Sequence, residues 1–212
     1  MDSIGVLKQM KKDARFSPDR TYRYALWRIW NETLPKVMFI GLNPSAANEN
    51  KDDPTIKRCI EFSKSWGYGG LVVGNLFAYV SQNPNEMMRF SEPVGLENNQ
   101  WLLKLAEEAE LVVAAWGDDG AFRNRGSEVR RLIPDLHCLK LNKSGEPSHP
   151  LYLLSDLKPK PLTTANYDNA NSVDEAGCIL CQNCFEENNE LICERQNKPV
   201  DASDICDFYR AR

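Results

Sequence analysis

Four positions with chemically useful side chains or special backbone stand where apolar runs of this sequence end. They are Asn43 in VMFIGLNPSAAN, Asn75 in LVVGNLFAYV, Trp116-Gly117 in LVVAAWG, and His149 in the loop GEPSHPLYL. A side-chain amide carries one acceptor and two donors on a single planar group, so an asparagine can match a ligand edge that both gives and takes hydrogen bonds. A histidine can donate or accept a proton near neutral pH. His149 is one of two histidines in the chain, and the other, His137, precedes an apolar strand and reads as structural. Each position also has a plainer reading. Asn43 before a proline is ordinary turn punctuation, and a buried Asn75 can serve neighbouring backbone groups.

A second group is the cysteines. Of seven, five fall after position 177, whereas Cys59 and Cys138 sit alone among apolar residues. Clustering of this kind in a reducing compartment points to metal before disulfides.

The elements that must position these residues follow from periodicity. YRYALWRIW (22–30) reads as a strand at a sheet edge, and 36–42 as a strand covered on both faces. The polar loop NPSAANENKDD ends at Asp53-Pro54, a cap followed by a proline in the first helical turn. The helix carries Ile56, Cys59, Ile60 and Ser63 on one face and stops at Gly67. Asp52, Asp53, Thr55 and Arg58 therefore read first as helix-start residues, and second as groups that could reach a site or a cation. Residues 71–80 form a second buried strand, 97–110 an amphipathic helix, 111–117 a third strand, SEVRRLI a brief helix and LHCLKLN a fourth strand. Strands alternating with helices predict a three-layer α/β/α domain around a mainly parallel sheet. Ligands in such sheets bind beyond the carboxyl ends of the strands, where Asn43, Asn75, Trp116 and His149 fall.

Net charge is −4. After position 167 there are ten acidic and four basic residues, so the tail carries −6 and the remainder +2. A mildly basic motif-bearing part permits a nucleic-acid partner. Arg123, Arg125, Arg130 and Arg131 form a basic cluster that reads as a solvated helix face or as phosphate contacts. No apolar run approaches the ~20 residues needed to span a bilayer, and the N-terminus lacks the apolar core of a secretory leader. The expectation is a cytoplasmic protein with no membrane partner.

The ordered set of strand ends resembles the uracil-DNA glycosylase superfamily. GLNPS is similar to its first motif, especially in the mismatch-specific uracil and thymine glycosylases. VGNLF resembles the strand ending in the asparagine that reads uracil, VVAAWG the strand that follows, and HPLYL the closing His-Pro motif. The resemblance covers about residues 36–155 and implies a uracil-DNA glycosylase-like fold that takes up a flipped-out base. It implies that Asn43 positions the attacking water through its side-chain carbonyl and that His149 donates to the leaving base. Asn75 would pair with N3–H and O4 of uracil or thymine. Gly41, Leu42, Pro44, Ser45, Phe77, Trp116, Gly117 and Pro150 would shape the pocket, with Phe77 or Trp66 as stacking face. The implied activity is hydrolysis of an N-glycosidic bond in DNA or a nucleotide. The alternatives are a non-catalytic base-binding module and a base-modifying transferase. The chain has Asn43 where the strongest glycosylases carry aspartate, and Leu151 where the closing motif has serine. Residues 20–155 also resemble an uncharacterised family, the domain of unknown function numbered 1643, through YRYALWRIW, GLNPS, DDPTIKRC, WGYGGLVVGNLFA, AAWG and HPLYL. That resemblance implies no activity.

In the tail, Cys181, Cys184, Cys193 and Cys206 give a C-x-x-C pair followed by two further thiols, with Cys178 able to replace Cys181 or Cys184. Four thiolates suit a structural zinc, and a segment with few large apolar residues needs such a metal to fold. An iron–sulfur cluster is the rival, disfavoured because these cysteines follow the last motif. The expected organisation is an α/β domain over 1–157, a linker over 158–175 and a Cys-rich zinc-binding tail over 176–212, the tail also offering a surface to a protein partner.

Overall fold

Runs that are apolar except at their ends make the middle of a seven-stranded sheet. Lys36–Gly41 (β3), Gly70–Asn75 (β4) and Leu111–Ala114 (β5) are buried on both faces, as strands flanked by helices must be. The remaining strands are Lys11–Phe16 (β1), Arg23–Ile29 (β2), Leu136–Cys138 (β6) and Lys160–Pro161 (β7), in the order β1-β2-β4-β3-β5-β6-β7. The centre β4-β3-β5-β6 is parallel, and the flanks β1-β2-β4 and β6-β7 are antiparallel. The computed structural model describes residues 10–162 in full, and beyond them only the backbone of three short strands, Cys184–Glu187 (β8), Glu190–Cys193 (β9) and Lys198–Pro199 (β10). The chain divides into two compact units, Met1–Thr163 and Thr164–Arg212.

Helices lie on both faces of the first unit's sheet. Helix α1 (Pro54–Ser65) buries Ile56, Cys59, Ile60 and Phe62 against Val37, Phe39 and Val73. Beyond the short α2 (Pro84–Arg89), α3 (Asn98–Glu108) and α4 (Arg125–Leu132) bury Leu102, Leu105 and Val129 against Met38, Ile40 and Val72, on the opposite face. Topology explains the split. The chain steps from β3 to β4 in one direction and returns over β3 to β5 in the other. Right-handed crossovers that reverse direction must use opposite faces. The reversal opens a crevice beyond the ends of β3 and β5, the usual ligand position in such sheets.

The strands from 111 and 136 end at Ala114 and Cys138, short of the expected 117 and 142, and three further expectations change. The strand at 22–30 is interior, because β1 pairs with its outer side. The sequence of β1, KKDARF, is too charged to announce a strand by its pattern, yet charge on an exposed edge is a common guard against edge-to-edge association. The strand from 71 ends at Asn75 rather than at residue 80. Residues 160–162, expected to belong to a linker from 158, are part of the domain instead: Lys160–Pro161 pairs with β6, and Leu162 is buried in the core.

Asp52 is also settled here. Arg28 in β2 is completely buried, and its Nε donates to Asp52 Oδ1 at 2.5 Å. Its Nη atoms donate to the carbonyls of Trp27 (2.7 Å) and Asn48 (2.5 Å), while Lys12 Nζ reaches Asp52 Oδ2 at 2.6 Å. Burial works against the Asp52 carboxylate, but hydrogen bonds from Lys12 and Arg28 outweigh it, and its pKa lies below the ordinary value. Asp52 therefore ties β1, β2 and the loop before α1 together and does not face the site.

Candidate active site

A cavity of about 920 Å³ opens beyond the carboxyl ends of β3, β4 and β5. Three backbone hydrogen bonds zip the segment after β3 to the segment after β4: Leu76 N to Gly41 O (2.9 Å), Phe77 N to Leu42 O (2.9 Å) and Ser81 N to Pro44 O (3.0 Å). They bring Asn43 and Asn75 to one wall. A further bond, Gly117 N to Pro147 O (2.8 Å), draws the His149 loop to the end of β5. Gly117 adopts φ +77°, so this turn favours glycine. At Gly41 a Cβ would stand 3.0 Å from Asn75 Oδ1, so the missing side chain makes room for the amide.

Asn43 has its orientation set by two acceptors. Its Nδ2 donates to Ser81 O (2.8 Å) and Pro44 O (3.0 Å), so both amide protons are spent on carbonyls. The side-chain carbonyl is left as the group to meet a ligand or water. Asn75 is 4% exposed, and its Nδ2 has no hydrogen-bond partner. A buried donor in this state costs about 1–3 kcal/mol, which a ligand acceptor would relieve. Behind it, Asn98 Nδ2 donates to the carbonyls of Asn75 (3.0 Å) and Leu76 (2.9 Å) and holds the strand end.

His149 caps a short 3₁₀ turn, Pro150–Tyr152, with Nδ1 accepting from Leu151 N at 3.4 Å. Burial lowers its pKa, with the Asp53 charge acting in the opposite sense. An accepting Nδ1 on a neutral ring places the proton on Nε2, a donor. Arg58, on α1, donates to the carbonyl of Leu153 and so pins this turn to the helix. Trp116 is held by Nε1 donating to Glu146 Oε2 at 2.6 Å, and Arg130 binds the same oxygen at 3.0 Å.

Of the residues anticipated for a site, Gly41, Leu42, Asn43, Ser45, Asp53 and Thr55 line this cavity. So do Asn75, Trp116, Gly117, His149 and Pro150. Pro44, Phe77, Asp52 and Arg58 are not among its lining residues. Pro44 contributes its carbonyl to the zipped loops. Phe77 is fully buried, with its ring 5.6 Å from that of Phe122, because the sheet alternation stops at Asn75 and the following residues leave the plane. Trp66 stacks on Phe39 and Phe62 beneath α1. The aromatic rings that line the cavity are Phe39, Trp116 and Tyr152. The basic cluster is largely committed: Arg125 is buried on Leu76 O, Asn99 and Glu128, Arg130 binds Glu146, and Arg123 donates to Ser91 O.

A buried cation that was not among the anticipated site residues also lines the cavity. Arg23, at the start of β2, is 3% exposed and donates to Ala47 O at 2.6 Å, and its Nε is unpartnered. Burial lowers its pKa to about 10, the Asp53 charge opposing, so it remains cationic at neutral pH. The available signal was a pair of arginines, Arg23 and Arg28, interleaved with the apolar and aromatic residues of one strand. Cys59 also lines the cavity, but burial pushes its pKa up, so it stands as an inert thiol. Among the described residues, no group of three or more His, Cys, Asp or Glu side chains is arranged to hold a metal ion.

The model of a family described as "Protein of unknown function (DUF1643)" matches residues 23–151, more than half of the chain. The chain belongs to this family. The matched segment runs from Arg23 through His149, so the family's extent contains the whole polar lining described above. No curated protein and no solved structure matched the chain.

Proposed function

We propose that the protein hydrolyses the N-glycosidic bond of a pyrimidine nucleotide unit whose base, uracil- or thymine-like, enters this cavity. DNA is the preferred substrate and a free nucleotide the alternative. The observation that carries the reading is the buried, unpartnered Nδ2 of Asn75. A uracil edge offers O4 to that donor and N3–H to Oδ1, a pairing that cytosine cannot make. Two further features support it: the order of motifs that resembles the uracil-DNA glycosylase superfamily, and a volume suited to a small ligand.

In this reading Asn43 holds water through its free side-chain carbonyl. The C–N bond breaks with its electron pair going to the base, and the Nε2–H of His149 donates to the base carbonyl on which charge develops. Phe39, Trp116 and Tyr152 supply the apolar walls. The test is incubation with single- and double-stranded oligonucleotides bearing uracil, hydroxymethyluracil or mismatched thymine, followed by alkali cleavage. Base release supports the reading. Tight binding without release identifies a binding module, and added mass on the base a transferase. Asn43→Ala should slow release by ~100-fold or more while the fold stays intact, since a group that organises the reacting water contributes on this scale. Unaltered turnover would return Asn43 to the role of a turn residue.

The tail is proposed to hold a structural zinc on Cys181, Cys184, Cys193 and Cys206. Cys178, Cys181 and Cys206 lie outside the described residues. Support comes from the second unit's β8 and β9, an antiparallel pair in which Cys184 and Cys193 occupy directly opposed positions. Such positions have Cα atoms about 4.5–5.5 Å apart. Elemental analysis of protein purified without chelator should give one zinc per chain. Iron with a visible absorption band would replace zinc by a cluster. A reducing, cytoplasmic setting agrees with free thiols at Cys59 and Cys138, and among the described residues no helix is long and apolar enough to cross a membrane.

A further inference from the structure

We propose that Asp53 is the general base of this site, taking the proton from the water that Asn43 holds. The proposal rests on the hydrolytic reading above and addresses its weakest step. An amide oxygen positions water but does not accept a proton near neutral pH. The remaining candidates on the cavity wall are unsuited: His149 carries its proton on Nε2 and has Nδ1 engaged by Leu151 N, and Cys59 is a buried thiol. Asp118 is exposed and held by Asn142 (2.8 Å) and Ser144, and Asp119 is exposed beside it.

Asp53 differs from these in how it is held. It lines the cavity and is half-buried as the N-cap of the twelve-residue helix α1. Its Oδ1 accepts from Ile56 N at 2.8 Å, which fixes the plane of the carboxylate. Among the described residues no hydrogen bond or ion pair engages Oδ2. One oxygen therefore orients the group and the other is free to act. The charge of Asp53 is felt by Arg23 and by His149, both on the cavity wall. Two buried donors lining the same cavity, Asn75 Nδ2 and Arg23 Nε, lack partners and mark it as built for a polar ligand.

The bond between the anomeric carbon and the base nitrogen breaks, and its electron pair leaves with the base. The water oxygen forms the new bond to that carbon, and its proton passes to Oδ2 of Asp53. The carboxylic acid then returns the proton to the departing base or to solvent. Until the proton arrives, the carboxylate charge also favours the positive character that develops on the sugar.

The experiment uses the full chain and whichever of the three modified oligonucleotides the wild-type protein cleaves. Asn caps helices as well as Asp does, so Asp53→Asn keeps the cap and removes the base. Asp53→Ser, a second capping side chain without a carboxylate, guards against an idiosyncratic folding defect. Both variants should keep the wild-type melting temperature and oligonucleotide affinity while the single-turnover rate falls about 100-fold or more. Asp53→Ala opens the space, and added formate should restore part of its rate, whereas Asp53→Asn should not respond. A merely structural role would move none of these readouts in this pattern. A rate within tenfold of wild type in folded Asp53→Asn and Asp53→Ser overturns the proposal, as does a loss explained by weaker oligonucleotide binding or an Asp53→Ala rate unmoved by formate. If the wild-type protein releases no base from any oligonucleotide, the hydrolytic reading falls and takes this proposal with it. An active wild type with active variants overturns this proposal alone.

Discussion

Replacing His149 with alanine should lower turnover roughly 100- to 1,000-fold, about 3–4 kcal/mol, and leave substrate affinity nearly unchanged. A donor aimed at developing charge is worth that much in a water-poor cavity. The loss should appear in kcat because the donor matters most when the base carries its negative charge. Loss of affinity alone would make His149 a binding residue. The same substitution should change how stability depends on pH. Burial holds the His149 pKa below its ordinary value, so between that depressed value and about 6.5 the unfolded chain binds a proton that the folded chain does not. Stability should therefore be fully present above about pH 6.5 and decline as pH falls through the folded value. The Asp53 charge makes the decline shallower. Urea melts at pH 7.5 and 5.5 should show a smaller difference in His149→Ala than in wild type.

Asp52→Ala should cost about 3–5 kcal/mol of stability, because it leaves the buried Arg28 guanidinium without its carboxylate. Carbonyls of Trp27, Asn48 and Lys51 still accept from Arg28 and place the loss toward the lower end. Urea denaturation reads the change as a fall in midpoint at constant slope. At temperatures where the variant is folded, catalysis should be nearly intact, since Asp52 does not line the cavity. Adjacent acids would then separate cleanly: substitution of Asp52 lowers stability and cap-preserving substitution of Asp53 lowers rate. The opposite pattern would show that the two carboxylates have exchanged roles.

Features that depend on local pattern were legible in the order of residues alone. Apolar runs at 36–42, 71–80 and 111–117 read as strands covered on both faces, and Asp53-Pro54 before a 3.6-residue period reads as a helix start, although the sheet itself ends at Gly41, Asn75 and Ala114. Because the strands are parallel, their ends fall on one side, so Asn43, Asn75 and Trp116 could be grouped from their positions alone. The β1 strand was hidden because its pairing is a backbone property that charged side chains do not announce.

Which way each polar side chain turns depends on contacts that form only when the chain has folded. Asp52 and Asp53 are neighbours of the same type, yet one meets Arg28 and Lys12 from β2 and β1 and the other caps α1 at the cavity wall. Phe77 would share the face of Asn75 in a continuing strand, but the sheet ends between them. Arg125 looks like a solvated cation in sequence, and its partners Leu76 O and Asn99 come from other parts of the chain. Arg23 reaches the cavity because β2 lies antiparallel beside β4, bringing the start of one strand next to the end of the other. In each case the deciding partner is distant in sequence, and a periodicity records how deeply a residue is buried but not what it meets there.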